Sequence, residues 1–121
     1  MTRVFLVEDS PIIRQNLAET LAELANCQVV GCADSETDAK AWLAENEDRW
    51  DVAIVDIFLK RGTGLPVLAA MNTRSALQRV VVLSNYASPE LRAAALKLGA
   101  DRVFDKSTDI DALVEFCKSP V

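Results

Sequence analysis

Two uninterrupted apolar runs limit the folds open to this 121-residue chain. Val52 to Val55 reads VAIV and Val80 to Leu83 reads VVVL, with no polar residue alternating between them. A strand of that kind is buried on both faces, as in a parallel sheet covered by helices on either side. The first run leads straight into Asp56 and a loop punctuated by Gly62 and Gly64. In open parallel sheets ligands bind at the carboxyl ends of the strands, where only loops stand in the way. Asp56 therefore marks the edge at which function is sought.

The remaining elements follow from local signals. Arg3 to Val7 is a short apolar strand ending in Glu8 and Asp9. Ser10 and Pro11 then open a helix, the serine capping free amides and the proline filling a position whose N–H would be unpaired anyway. Ile13, Leu17, Leu21 and Leu24 recur at helical spacing and predict a core-facing stripe, with Ile12 off it. Gln28 to Ala33 is a second strand. Ser35 with Asp38 resembles a capping box opening a helix through about Asp48. Strand three covers Asp51 to Asp56. Leu65, Leu68 and Ala69 predict a third helix ending before Gln78, and Arg79 to Leu83 a fourth strand. Ser88 and Pro89 repeat the serine-proline start, and Leu91, Ala94, Ala95 and Leu98 carry that helix to Gly99, a left-handed stop. Arg102 to Asp105 is the fifth strand, followed at once by Lys106, and Ile110, Leu113, Val114 and Cys117 form a last short helix.

This alternation predicts one α/β domain over residues 1–121: a flavodoxin-like, doubly wound sheet of five parallel strands in the order 2-1-3-4-5 with five helices. A fragment of the Rossmann order is the other arrangement for five strands. It is disfavoured because the first turn reads EDSPII where GxGxxG is needed, and two carboxylates there repel a pyrophosphate. Flavin binding fails on the same charge.

Composition removes further classes. A net charge of −5 without a clustered basic stripe argues against direct binding of nucleic acid. No apolar tract is long enough to span a bilayer, and no charged-then-apolar leader precedes Val4, so a cytoplasmic protein without a membrane role is expected. Cys27, Cys32 and Cys117 lack CxxC spacing and histidine is absent, which leaves neither a zinc nor a redox motif.

Strands one, three, four and five end in Glu8 and Asp9, Asp56, Ser84 and Lys106. Each has an ordinary explanation alone: carboxylates suit a helix amino terminus, Asp and Ser form turns, and lysines at strand ends are common. A parallel sheet, however, brings all of these ends to one edge. Three carboxylates, a hydroxyl and an ammonium converging there read as a site. Carboxylates so crowded repel one another, and a hard, oxygen-seeking divalent cation relieves this, so Mg²⁺ is the expected guest.

This constellation resembles that of a response-regulator receiver domain, the phosphoacceptor module of two-component signalling, over essentially the whole chain. Glu8 and Asp9 match the family's acidic pair, Asp56 its phosphoacceptor, Ser84 its switch hydroxyl and Lys106 its lysine, while Gly64 falls where receivers place a loop glycine. The resemblance implies Mg²⁺ held by Asp9, Asp56 and the Phe58 carbonyl, with Glu8 acting directly or through water. It implies attack by Asp56 on a phosphoryl group, Lys106 pairing with the developing charge and Ser84 hydrogen-bonding the product. A chain without histidine needs an external donor, so a histidine kinase or a histidine phosphotransfer protein is the expected upstream partner. The chain is then a signalling domain rather than an enzyme with its own substrate. An unidentified protein target is expected downstream, with a monomer or a phosphorylation-dependent dimer as the assembly.

The match breaks at three positions. Val103 stands where receivers carry an aromatic residue whose swing couples to the strand-four hydroxyl, and Phe104 points to the opposite face by period-two alternation. Ser107 and Lys60 stand where prolines are frequent. Lys60 and Arg61 make the loop after Asp56 basic, a feature suited to partner docking, and Ile12 beside the acidic pair is a candidate contact for a phosphodonor. Phe58 and Tyr86, each two residues beyond a site residue, are candidates for shielding an acyl phosphate from water. The last helix ends near Lys118 and the chain at Val121, so a stand-alone receiver without a separate output domain is expected. Two rivals come from other classes. One is a pseudo-receiver acting as a phosphorylation-independent interaction module, which the full acidic set plus Lys106 disfavours. The other is an aspartyl-phosphate phosphatase, which wants a DxD arrangement and a cap that this chain lacks.

Overall fold

In the computed structural model, which describes residues 1–85 and 87–118, strands and helices alternate strictly along the chain. They are β1 Thr2–Val7, α1 Pro11–Ala25, β2 Cys27–Ala33, α2 Glu36–Glu45, β3 Val52–Val55, α3 Leu65–Ala70, β4 Arg79–Ser84, α4 Pro89–Lys97, β5 Arg102–Asp105 and α5 Ile110–Lys118. The five strands pair in parallel in the order β2-β1-β3-β4-β5, the flavodoxin-like arrangement predicted.

Period-two alternation divides the apolar strand residues between two cores. Val4, Leu6, Val52, Ile54, Val81, Leu83 and Phe104 face Leu17, Leu21 and Ala25 of α1 and Leu113, Val114 and Cys117 of α5. Phe5, Val7, Ala53, Val55, Val80, Val82 and Val103 face residues of α2, α3 and α4 on the other side. Burial of VAIV and VVVL on both faces follows directly, and Val103 and Phe104 lie on opposite faces as expected.

The serine caps form as read. Ser10 Oγ accepts from the Ile13 amide at 3.3 Å, Ser35 Oγ from Asp38 at 3.2 Å and Ser88 Oγ from Leu91 at 3.1 Å. Gly99 adopts φ +104°, the left-handed turn needed after α4.

Two local expectations are corrected. Leu24 is 54% exposed, and Ala25 completes the buried row instead. The contact line of α1 is the i, i+4, i+8 ridge through Leu17, Leu21 and Ala25, which leaves Leu24 beside it. Helix α2 ends at Glu45 rather than near Asp48. Asn46 leaves the helical region at φ −133°, and its side-chain amide donates to the Trp42 carbonyl at 2.8 Å, satisfying an end that would otherwise continue. Among the described residues no helix is long and apolar enough to cross a membrane.

Candidate functional site

The backbone ladder sets the site residues level with one another. Glu8 N–H donates to the Ala33 carbonyl at 3.0 Å, Asp56 N–H to Val7 at 2.9 Å and Lys106 N–H to Ser84 at 3.0 Å. Each of these three residues is thus the first beyond a strand and is held by the end of a neighbouring strand. Strand register, not loop conformation, fixes their relative heights.

Lys106 lies between two carboxylates. Its Nζ donates to Glu8 Oε1 at 2.5 Å and to Asp56 Oδ2 at 2.9 Å. Only 2% of the Glu8 side chain, 7% of Asp56 and 11% of Lys106 are exposed, so little water screens the group. Burial, the largest influence, would lower the Lys106 pKa, yet the hydrogen bonds it donates to Glu8 and Asp56, together with their charges, outweigh it and hold the ammonium above its ordinary value. Glu8 is pushed the other way. Burial raises its carboxyl above the ordinary range despite hydrogen bonds from Lys106 and the Ser10 amide, with the Asp56 charge adding to the rise. The two directions are compatible because one ammonium serves two buried carboxylates: the cation gains from both, while each anion has half a partner.

Asp9 completes the cluster. One carboxylate oxygen each from Glu8, Asp9 and Asp56 can be chosen so that all lie within 4.8 Å of one another. Three oxygen donors with surplus negative charge and no nitrogen or sulfur ligand suit a hard divalent cation. Asp9 Oδ2 already accepts the Lys60 amide at 2.7 Å, and Asp56 Oδ1 accepts the Phe58 amide at 3.1 Å. Ser84 belongs to the same edge but is fully enclosed.

The loop after Asp56 is shaped by a close approach. A Cβ on Gly64 would sit 2.4 Å from the Asp56 carbonyl oxygen, 2.9 Å from Val55 Cγ1 and 3.0 Å from Ile57 Cα. Two of these obstacles are backbone and cannot swing aside, so glycine is required to fold the loop back against the end of β3. Gly64→Ala is expected to lose about 2–3 kcal/mol of stability in urea denaturation, at the upper end of overpacking costs. A loss below about 0.5 kcal/mol would show that the loop yields freely.

Several contacts escaped sequence reasoning. The Arg14 guanidinium donates to the Glu8 carbonyl at 2.7 Å, and the Glu36 carboxylate accepts the Thr63 amide at 3.3 Å, tying the loop to α2. The Lys60 amide on Asp9 had no signal in residue type, because any residue but proline could supply it. Phe58 is 53% exposed and Ile12 72% exposed. Tyr86 lies outside the described residues.

A model of the response regulator receiver domain matches residues 4–118. The chain belongs to this family. It is a receiver domain of two-component systems, and the acidic edge described above is where such a domain would place its divalent metal. The receiver is 36% identical over 107 residues to a protein-glutamate methylesterase/protein-glutamine glutaminase of Myxococcus xanthus, covering 88% of this chain and 30% of that protein. It is 33% identical over 100 residues to the DNA-binding transcriptional activator DevR/DosR of Mycobacterium tuberculosis, covering 83% of this chain and 45% of that protein. The receiver thus spans less than half the length of these two relatives. Among solved structures it is similar to a phosphorylated cyanobacterial phytochrome response regulator, RcpA, with 26% identity, a TM-score of 0.77 and coverage of 97% of this chain and 89% of that one.

Proposed function

We propose that residues 1–121 form one phosphoacceptor unit in which a phosphohistidine donor, on a histidine kinase or phosphotransfer protein, passes its phosphoryl group to Asp56. The observation that carries this reading is the single ammonium of Lys106 shared by buried Glu8 and Asp56, with Asp9 beside them. In the transfer an Asp56 oxygen forms the new P–O bond as the P–N bond to the donor imidazole breaks, its electron pair leaving with the ring. The chain has no substrate-converting role of its own beyond assisting this transfer and its slow hydrolysis.

The residues divide the work. The Phe58 amide and the Lys106 ammonium hold the Asp56 carboxylate in a fixed orientation before reaction, so little reorganisation remains. Lys106 is also placed to pair with charge on the incoming phosphoryl oxygens. Glu8 keeps Lys106 aimed. Asp9, Asp56 and the Phe58 carbonyl, with Glu8 nearby, would hold Mg²⁺, which supplies charge neutralisation when bound. The phosphorylated state of RcpA supports the reading by relation.

Intact mass measured after incubation with acetyl phosphate and Mg²⁺ tests it. One added phosphoryl group is expected in the wild type, and none in Asp56→Asn or with a chelator. Addition to Asp56→Asn would move the acceptor elsewhere. Failure of the wild type to take up either phosphoryl or beryllofluoride would leave a phosphorylation-independent interaction module.

A further inference from the structure

Asp9 is held differently from its two neighbours in the acidic cluster. Glu8 and Asp56 are buried and share the Lys106 ammonium. Asp9 is half-buried, and its Oδ2 accepts the main-chain amide of Lys60 at 2.7 Å, from a residue 51 positions along the chain. That amide belongs to the loop between β3 and α3, which closes on itself. Phe58 and Thr63 pair as an antiparallel bridge, and the Gly64 amide donates to the Ile57 carbonyl at 2.9 Å. The far side of the loop is fastened to Glu36, the first residue of α2. The Glu36 amide donates to the Arg61 carbonyl at 3.3 Å, and Gly62, at φ +79°, comes so near that a Cβ there would lie 2.7 Å from Glu36 Cβ.

We propose that Lys60, through its main-chain amide, is a positioning residue for the divalent cation: it fixes the Asp9 carboxylate to the β3–α3 loop and so sets this chain's affinity for Mg²⁺. The inference rests on the receiver reading above and adds a determinant of cation binding that lies outside the carboxylates themselves.

Three features suit the amide to this task. A carboxylate offers about four acceptor positions on its two oxygens, so one amide orients Asp9 and leaves capacity for a cation. The amide also carries no formal charge. It leaves intact the negative charge that draws the cation, whereas Glu8 and Asp56 are already partly neutralised by Lys106. Finally, a main-chain donor in a loop closed by its own bridge and tied to α2 cannot swing aside as a side chain would. Hydrogen-bonding partners of metal-ligating groups are commonly worth about 10–100-fold in affinity. Residue type matters here in one respect, since proline alone lacks the N–H. The Lys60 side chain is exposed, so substitution separates its ammonium from its amide.

Calorimetric titration of the full chain with MgCl₂ at constant ionic strength compares Lys60→Ala with Lys60→Pro. Both variants lose the side-chain charge, and only the second also loses the N–H. Lys60→Pro is expected to bind Mg²⁺ about tenfold or more weakly than Lys60→Ala. A merely structural role would lower the stability of Lys60→Pro in chelator and leave its Mg²⁺ affinity equal to that of Lys60→Ala, and that result overturns the proposal. If the proline ring prevents folding, an ester in place of the Leu59–Lys60 peptide bond removes the same N–H without a ring, and the same weakening is expected. In the wild type, hydrogen exchange at the Lys60 amide should be slow in chelator and slower still with Mg²⁺. Faster exchange with Mg²⁺ would mean that the cation displaces the amide, which also overturns the proposal. A wild type that binds no Mg²⁺ while its Lys60 amide stays protected overturns the metal assignment beneath it, a separate and distinguishable outcome.

Discussion

Lys106→Met is expected to destabilise the metal-free chain by about 3–5 kcal/mol at neutral pH, the cost of leaving a buried ion pair without one partner. The loss should shrink markedly toward about pH 5, because Glu8 can then take up a proton. Removing Lys106 deletes the hydrogen bond and charge that pull Glu8 down, while burial and Asp56, which push it up, remain. Its folded pKa therefore rises further above the unfolded value near 4.5. A carboxyl raised in the folded state binds protons more tightly folded than unfolded. Stability then falls as pH rises from the unfolded value through the folded one, and is level above it. Lys106 adds no slope of its own in this range. Its folded pKa lies above 10.5, so its contribution is complete at neutral pH and is lost only as pH climbs through that higher value. Urea denaturation of both proteins in chelator, at two pH values, measures the effect. An equal loss at both would mean that Glu8 is not left carrying an uncompensated charge.

The same physics explains what was legible beforehand. VAIV and VVVL announced parallel strands because their burial on two faces leaves no room for polar alternation, and the serine-proline starts announced α1 and α4 because capping is local. The convergence of side chains was legible because strand ends in a parallel sheet are level, so Glu8, Asp9, Asp56 and Lys106 could be assigned to one edge, where they meet. What stayed hidden depended on geometry that spacing does not encode. Leu24 and Ala25 differ by one step around the helix, and which of them faces the sheet depends on the angle at which α1 crosses it. The end of α2 turned on Asn46 reaching back to the Trp42 carbonyl. The Lys60 amide and the carbonyls of Ala87 and Val103 belong to the backbone, where residue identity carries no signal. Arg92 carried no signal in the sequence, because it donates to the Ala87 and Val103 carbonyls.

Asp9→Asn is expected to act in opposite directions with and without metal. In chelator the variant should be more stable than the wild type, on the order of 1–2 kcal/mol, because it removes one of three carboxylates that can bring oxygens within 4.8 Å of one another. Glu8 and Asp56 share Lys106, whereas Asp9 has the Lys60 amide at 2.7 Å, a contact that an asparagine oxygen can also accept. The substitution therefore removes charge and leaves the hydrogen-bonding geometry. With Mg²⁺ the order should reverse. A cation bound only by the folded state adds about 2.7 kcal/mol at a hundred times its dissociation constant, and the wild type gains this while the variant, short of one hard oxygen charge, gains much less. Titrating MgCl₂ against NaCl at matched ionic strength separates site binding from general screening, which would lift both proteins alike. The two stability curves must cross as Mg²⁺ rises. Parallel curves would mean that the acidic cluster does not hold the cation, and the crowding of Glu8, Asp9 and Asp56 would then need another explanation than metal binding.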